Sequence, residues 1–272
     1  MTPKVKIVGG LGNQLFQYFF ARSLKIKFKC KVELDISEFS SNNYKVHDLN
    51  LNDLNLKLPF TNSKNLFLSL FYKSLNDNDP FKFNKKIYNK KYLNYTGYWQ
   101  SYKYFENHWK LFKDDFNFTD IDTENSLFDN IYNNNSISVH IRRGDYITNK
   151  DVSDIHGNLE PDYYKNAIDL IKKNVLNPKF FFFSDDIEWV KNNFKDENFF
   201  YINNNVQELK KPFRDLFLMK NCTHNIIANS TFSWWGAWLN ENSNKIVIAP
   251  KYWSSNTKSD STDLIPPQWV IL

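Results

Sequence analysis

The second half of the chain alternates short apolar runs with segments of helical periodicity, and this alternation constrains the fold more than any other feature. Strands are predicted at 136–141, 180–183, 224–228 and 246–249, and helices at 163–174, 187–194, 213–220 and 232–239. Alternating strands and helices are typical of a mostly parallel sheet that helices cover on both faces. In such a sheet, ligands bind beyond the carboxyl ends of the strands. The sequence therefore predicts an α/β fold whose binding residues follow its strands.

The N-terminus predicts one more unit of the same kind. Residues 5–8 form a short β-branched run, Gly9, Gly10 and Gly12 interrupt it, and a helix is predicted from 13 to about 27. The glycines resemble part of a dinucleotide-binding fingerprint, but a leucine occupies the position of its third glycine. The motif alone is therefore a weak indication of nucleotide binding. It does fit a backbone that passes close to a ligand.

The segment from about 35 to 130 has a weaker pattern. It contains many Asn, Lys and Asp residues among short aromatic clusters, which predicts helices and irregular segments. A chain of 272 residues accommodates one large α/β domain or two smaller ones.

The formal net charge of +5 fits an anionic small molecule, an anionic membrane surface or nucleic acid. Nucleic acid is not expected, because the chain has no block of Lys and Arg residues. A basic stretch alternates with apolar residues, which fits a helix end or an edge strand as well as contact with anionic lipid: Lys25, Lys27, Lys29 and Lys31.

The cysteines and the hydropathy pattern bear on the compartment. Cys30 and Cys222 form no CxxC pair, so a metal or disulfide framework is not expected and a reducing compartment is. No signal peptide and no apolar run of transmembrane length is found in the sequence. These features predict a soluble, cytoplasmic protein. Peripheral contact with the cytoplasmic face of the inner membrane stays open as an alternative.

Two adjacent arginines follow the strand at 136–141. His140 and Arg142 point to the same face of this strand, and Arg142 and Arg143 stand at its carboxyl end. A diphosphate would satisfy two guanidinium groups there through bidentate, charge-assisted hydrogen bonds. The alternative is a pair of ion pairs with Asp145 and other nearby acids. The position at the strand end makes these two interpretations about equal.

A second polar segment precedes the helix at 232–239. Ser230, Thr231 and Ser233, together with the backbone N–H groups of a helix start, would hold a phosphate without a metal ion. An ordinary Ser/Thr helix cap is the alternative. The tryptophans that follow, at 234, 235 and 238, are expected in the core for at least two of the three.

Three motifs together carry a resemblance to a known family. GGLGNQLFQYFFARSL, HIRRGDY and NSTFSWWGAWL resemble the signatures of the α-1,2-fucosyltransferases of glycosyltransferase family 11, and they occur in the same order. The resemblance covers about residues 5 to 250, apart from a segment at about 35–130 that is variable in the family.

The resemblance implies a GT-B architecture, in which two Rossmann-like domains face a central cleft. The domains would be 1–132, mainly on the acceptor side, and 133–272, which would bind GDP-fucose, with the last segment packing back on the first domain as an option. It implies inverting, metal-independent transfer of L-fucose from GDP-fucose to the 2-hydroxyl of a terminal galactose, with no further cofactor, in bacterial O-antigen or lipopolysaccharide biosynthesis.

The resemblance also implies roles for individual residues. Arg142 would pair with the β-phosphate, supported by Arg143, and His140 and Asp185 would contact the guanine or its ribose. The phosphate oxygens would be held by Ser230, Thr231 and Ser233. Asn13 would lie near the reacting carbon and the acceptor, although a helix N-cap is the alternative for this residue.

The general base is less defined. Asp145, His156 and Glu160 are candidates, and a mechanism assisted by Asn13 without a strong base is another option. Asp185 and Asp186 are adjacent and are interpreted as a base contact and a helix cap rather than as metal ligands. Two other functions stay open: transfer of another GDP-sugar or to another linkage, and glycan binding without catalysis.

Overall fold

The computed structural model describes residues 2–40, 47–62, 74–118, 121, 126–144, 157, 159–202, 211–254 and 261–272. The chain forms two compact units. Unit 1 consists of Met1–Asn117 and Asp260–Pro266, and unit 2 of Phe118–Ser259 and Pro267–Leu272.

Unit 1 contains a five-stranded parallel sheet with the strand order β3-β2-β1-β5-β4. Its strands are β1 (Lys4–Lys6), β2 (Glu33–Asp35), β3 (Phe60–Thr61), β4 (Ser74–Asn76) and β5 (Asn94–Thr96). In the part of this unit that the structure describes, the α-helices are α1 (Leu11–Phe28) and the short α2 (Trp109–Phe112). Helix α1 packs into an aromatic core, where the ring of Phe20 stacks on that of Trp99 with 4.2 Å between centroids. Lys25 and Lys27 lie in its last turn, so the basic stretch is a helix end.

The sequence predicts only helices and irregular segments between 35 and 130, and this prediction is wrong for the strands. Strands β3, β4 and β5 lie in that segment and complete the sheet of unit 1. Each has two or three residues, which is too short to produce the alternation by which a strand is recognised.

Unit 2 contains a six-stranded parallel sheet with the strand order β11-β10-β9-β6-β7-β8. Its strands are β6 (Ser136–Ile141), β7 (Lys179–Ser184), β8 (Phe199–Tyr201), β9 (His224–Ile226), β10 (Val247–Ala249) and β11 (Val270–Ile271). The α-helices among the described residues of unit 2 are α3 (Ser126–Tyr132), α4 (Pro161–Asn174), α5 (Ile187–Asn193), α6 (Lys211–Asn221) and α7 (Thr231–Leu239). The predicted α/β class with parallel sheets is confirmed.

The sheet of unit 2 has a hydrophobic core on each face. Phe180 and Phe182 pack with apolar residues of α4 and α5 on one face, and Phe181 and Phe183 pack with residues of α3 and α6 on the other. Because both faces of β7 are covered, this strand is a continuous apolar run rather than an alternating one.

Helix α7 is held in place by tryptophans. Trp234 and Trp235 are fully buried, as predicted for at least two of the three tryptophans in this helix. Trp234 stacks on Trp238 with 5.1 Å between ring centroids. This packing fixes the direction in which the first turn of α7 points.

Candidate donor-binding site

Three neighbouring strands of unit 2 have their carboxyl ends side by side, and a polar segment follows each of them. The row of carboxyl ends is called this edge of the sheet below. Strand β6 lies between β7 and β9, and its last residue, Ile141, is paired with Ser184 at the end of β7. The residues after Ile141 and those after Ser184 therefore emerge side by side. The segment after β9 leads into the first turn of α7. This edge is where a parallel α/β sheet binds its ligands.

Arg142 is paired with an acid from the neighbouring strand. Its Nη1 lies 3.0 Å from Oδ2 of Asp185, and 30% of the arginine side chain is exposed. The other carboxylate oxygen of Asp185 accepts a hydrogen bond of 2.9 Å from the backbone N–H of Arg143. Asp185 therefore fixes both the backbone after β6 and the guanidinium of Arg142. The guanidinium of Arg142 stays accessible to an anion.

Arg143 has different surroundings. Its guanidinium carbon lies 3.6 Å from the centroid of the Trp189 ring, and its Nε donates a hydrogen bond of 3.4 Å to Oδ2 of Asp186. Asp186 is the N-cap of α5, because its Oδ1 accepts from the backbone N–H of Trp189 at 3.2 Å. The prediction that one of the two aspartates caps this helix is thereby confirmed. Each arginine thus has an acidic partner, but the partners are Asp185 and Asp186.

Gly144 lies directly against the carboxylate of Asp185. A Cβ atom added to Gly144 would lie 2.9 Å from Oδ2 of Asp185, which is closer than non-bonded atoms come. A larger residue at position 144 would therefore displace the end of the Asp185 side chain from its present position.

His140 lies beneath this edge of the sheet. It is 6% exposed, and its ring contacts that of Phe232 with 5.6 Å between centroids. Burial lowers the pKa of His140 to about 4, against a smaller opposite effect of the Asp185 carboxylate; the Arg142 guanidinium lowers it further. His140 is therefore neutral at pH 7. Its Nδ1 is buried and has no hydrogen-bond partner among the described residues, which is uncommon and fits the predicted contact with a base or a ribose.

The first turn of α7 contains Ser230 and Thr231 in different roles. Ser230 is the N-cap, and its side chain makes no capping hydrogen bond. The first turn contains no acidic residue, and the first N–H groups of a helix have no partner within the helix. Together with the helix dipole, they favour an anion at this position. This geometry agrees with the predicted phosphate contacts of Ser230 and Thr231 but does not test them.

Ser233 is turned away from this edge. It is buried, and its hydroxyl donates to the backbone carbonyls of Ser230 at 3.1 Å and Ala228 at 3.4 Å. The hydroxyl of Ser233 is thus used within the protein, because the third residue of this helix faces the core. The phosphate contact of Ser233 stays a prediction.

Asn13 lies in unit 1, within the first turn of α1. Gly10 is the N-cap of this helix, so the interpretation of Asn13 as the cap is wrong. Its Oδ1 accepts a hydrogen bond of 2.8 Å from Nε2 of Gln100. Gly9 has φ of +78°, and a Cβ there would lie 2.7 Å from Nδ2 of Asn13. The glycine turn after β1 is therefore required by the close approach of the Asn13 amide.

The candidates for the general base are placed differently. Asp145 and His156 lie outside the described residues. Glu160 is the exposed N-cap of α4. Among the described residues, no group of three or more His, Cys, Asp or Glu side chains is arranged to hold a metal ion. Within the same residues, no helix combines the length and the apolar character needed to cross a membrane.

Sequence reasoning missed three residues: Trp189 and Gly144, which lie beside the two arginines, and Gln100, which contacts Asn13. Trp189 stands three residues after Asp186, which is the spacing of a residue whose N–H is capped. That spacing was the one signal available. Gly144 and Gln100 have no such local signal, since their roles depend on contacts with residues far away in the chain.

Comparison with known proteins shows which family the chain belongs to. The family model for glycosyl transferase family 11 matches residues 3–272. An alpha-1,2-colitosyltransferase of Escherichia coli is 35% identical over 282 residues, covering 97% of each chain. The O-antigen biosynthesis glycosyltransferase WbnK of Escherichia coli is 34% identical over 290 residues, covering 93% of this chain and 96% of that protein. Among solved structures, the fucosyltransferase NodZ from Bradyrhizobium superposes with a TM-score of 0.49 at 12% identity, covering 88% of this chain and 94% of that one.

Proposed function

The chain belongs to glycosyltransferase family 11 and is a glycosyltransferase, and on this premise we propose that it transfers L-fucose from GDP-fucose to the 2-hydroxyl of a terminal galactose. The transfer inverts the configuration at the anomeric carbon and needs no metal ion. The donor binds at the edge of the unit 2 sheet described above.

The observation that carries this proposal is the convergence of cationic and N–H donors at one edge. Arg142 follows β6, and Thr231 begins α7 after the neighbouring strand β9. A guanidinium binds phosphate oxygens by bidentate, charge-assisted hydrogen bonds, and a helix start binds them through its N–H groups. Buried, neutral His140 lies at the same edge and suits the uncharged part of a nucleotide.

Inversion assigns a clear task to these groups. The sugar of GDP-fucose is β-linked to the diphosphate, so a single displacement gives an α-linked product. Negative charge grows on the departing diphosphate in the transition state, where the Arg142 guanidinium and the N–H groups of α7 stabilise it. The acceptor hydroxyl loses its proton late in the same step. Asp145, His156 and Glu160 remain the predicted bases for that proton. A mechanism assisted by Asn13 without a strong base is the alternative.

GDP-colitose is a second candidate donor, because the chain is similar to an alpha-1,2-colitosyltransferase. Colitose is fucose without its 3-hydroxyl group. A site that binds this hydroxyl by hydrogen bonds rejects the deoxy sugar by about 10⁴-fold, because its polar groups lose their partner. A site that leaves the hydroxyl in water accepts both sugars. The ratio of the transfer rates from GDP-fucose and GDP-colitose therefore shows whether the site binds the 3-hydroxyl group.

The test is a donor and acceptor screen with the purified protein. GDP-[14C]fucose and GDP-colitose are each offered with lactose, N-acetyllactosamine and Galβ1-3GalNAc, and the Arg142→Ala protein serves as the matched blank. The product linkage and anomeric configuration are determined by methylation analysis and NMR. An α-1,2-fucoside supports the proposal, and transfer of colitose alone replaces the donor but keeps the site. Transfer only from UDP-sugars, or binding of the glycan without transfer, overturns it.

A further inference from the structure

We propose that Trp189 is a positioning residue of the donor site, which acts on Arg142 through Arg143 and Asp185. This inference rests on the proposed function, because it assumes that Arg142 binds the diphosphate of the donor. It divides the two adjacent arginines between two tasks: Arg142 faces the ligand, and Arg143 anchors the loop that carries Arg142.

Arg143 attaches the loop after β6 at more than one point. The paired register of β6 and β7 ends at Ile141 and Ser184, so Arg142 and Arg143 follow the last paired residues of these strands. The backbone N–H of Arg143 donates a hydrogen bond of 2.9 Å to Asp185. The side chain of Arg143 supplies a further attachment, at Trp189.

Arg143 is enclosed on two sides. The indole of Trp189 covers the face of the guanidinium at 3.6 Å, and the carboxylate of Asp186 meets its edge at 3.4 Å. A stacked guanidinium with an acid at its edge is held in both orientation and position. At 19% exposure, its side chain is also less accessible than that of Arg142, at 30%. Arg143 is thus placed to hold the loop rather than to receive an anion.

Trp189 is itself rigidly placed. It lies in α5, and its N–H is bonded to the capping carboxylate of Asp186. Its ring contacts Phe194 edge-on, with 6.0 Å between centroids, and it packs against the core that α4 and α5 form on the sheet. A side chain fixed in this way transmits the position of the core to Arg143.

Asp185 completes the connection. One of its oxygens accepts from the Arg143 backbone, and the other lies 3.0 Å from Nη1 of Arg142. A shift of the Arg143 backbone therefore moves the carboxylate that orients Arg142. Loss of the Trp189 ring face reaches the ligand by this route, although Arg143, Asp185 and Arg142 lie between Trp189 and the ligand.

The chain offers a closely matched control. Phe199 in β8 carries the ammonium of Lys172 at 5.5 Å from its ring centroid, and Lys172 is paired with Asp196 at 2.7 Å. Phe199 packs against the same core as Trp189 and is partly buried like it. It is paired with Phe180, near the start of β7. Phe199 therefore lies where the strands begin, whereas the donor site lies where they end. The Phe199→Leu variant removes a similar contact at a place where no donor contact is expected.

The experiment measures GDP and GMP affinity by calorimetry for the wild type and for Trp189→Leu, Trp189→Phe and Phe199→Leu. We expect Trp189→Leu to raise the Kd for GDP about three- to thirtyfold, the range of a partly desolvated cation–π contact. The Kd for GMP should stay within about twofold, since GMP lacks the β-phosphate that Arg142 binds. Trp189→Phe, which keeps a ring face, should recover most of the GDP affinity, and Phe199→Leu should change neither affinity.

A double-mutant cycle separates positioning from general destabilisation. In the Arg142→Ala background, Trp189→Leu should weaken GDP binding by less than about twofold, because the residue through which it acts is gone. Equal GDP affinity of the wild type and Trp189→Leu overturns the inference, and so does equal weakening of GDP and GMP. If Trp189→Leu does not fold, Trp189→Met, which also removes the ring face, takes its place in the same cycle with the same expected and contradicting results. A wild type that binds no GDP overturns the proposed function, and this inference with it.

Discussion

The guanidinium of Arg142 and the carboxylate of Asp185 are 3.0 Å apart, and they come from neighbouring strands, 43 residues from each other in the chain. The acid holds the guanidinium at the edge of the sheet but leaves part of it accessible. An arginine held in this way needs little reorganisation when a diphosphate departs, which is the condition for strong electrostatic stabilisation.

Replacement of Arg142 should therefore abolish most of the activity. We expect Arg142→Ala to lower kcat about 100-fold or more, because a charged partner of the transition state is lost. Arg142→Lys should recover little, since an ammonium group is a point charge without the bidentate fork. The measurement is steady-state transfer of labelled fucose, with Lys172→Ala, which removes an exposed charge beside Phe199, as control. Near-native turnover and unchanged GDP affinity in Arg142→Ala would show that the phosphate assignment is wrong.

The close approach of Gly144 to Asp185 leads to a second prediction. In Gly144→Ala, the added methyl group displaces the carboxylate of Asp185 from Arg142, because the end of the Asp185 side chain moves more easily than the backbone. We expect the Kd for GDP to rise about tenfold, the value of one charge-assisted hydrogen bond, with little change in melting temperature. Titration calorimetry and thermal unfolding of the same preparation measure both. A large loss of stability with unchanged GDP affinity would show that Gly144 matters for the folding of the loop and not for GDP binding.

The buried His140 should make stability depend on pH. Its pKa falls from an ordinary value of 6.5 to about 4 on folding, because burial disfavours the charged ring. Between these values the unfolded chain binds more protons than the folded one, so the free energy of unfolding rises with pH. The stability that this residue contributes is complete above pH 6.5 and is lost as the pH falls towards 4, on the order of 3 kcal/mol in all.

Urea unfolding at several pH values from 4 to 7 measures this dependence. In His140→Asn the slope should become smaller but should not vanish, because burial also lowers the pKa of His224. A His224→Asn variant is the matched comparison. An unchanged pH dependence in His140→Asn would mean that the imidazole is charged, or exposed, in the folded protein.

Metal independence is a fourth prediction. Transfer should persist in EDTA, because the guanidinium of Arg142 and the helix start at Thr231 supply the positive charge for the departing diphosphate. Initial rates are compared before and after dialysis against EDTA, and after addition of Mg²⁺ or Mn²⁺. A rate that disappears with EDTA and returns with the metal would require a different donor site.

The sequence predicts the second unit better than the first, for a physical reason. Strands β6 and β7 are six-residue runs that are buried except at Lys179, so both the strands and the polar segments that follow them are recognisable. Strands β3 to β5 have too few residues for a period to appear. In the site, the alternation of strands and helices brings Arg142 and Asp185 to one edge. It does not determine that Arg143 turns towards Trp189, because that depends on side-chain packing beyond the end of the strand.

The last prediction separates donor binding from transfer by using one residue of each unit. Asn13 belongs to unit 1 and Thr231 to unit 2. Asn13→Ala should keep the Kd for GDP within about threefold of the wild type and lower the rate of fucose transfer substantially. Thr231→Ala should weaken GDP binding itself, since it removes a hydroxyl from the helix start that receives the phosphates.

A purely structural role of Asn13 has to be distinguished from this outcome. Its Oδ1 accepts a hydrogen bond from Gln100, so Gln100→Ala removes the same bond without touching Asn13 and serves as the matched control. Melting temperature, GDP affinity and turnover are measured on the same preparation of each variant. If Asn13→Ala and Gln100→Ala lose the same stability and both stay fully active per folded molecule, the role of Asn13 is limited to its hydrogen bond with Gln100. A loss of turnover that exceeds the loss of folded protein in Asn13→Ala, at unchanged GDP affinity, supports a role of its amide in transfer.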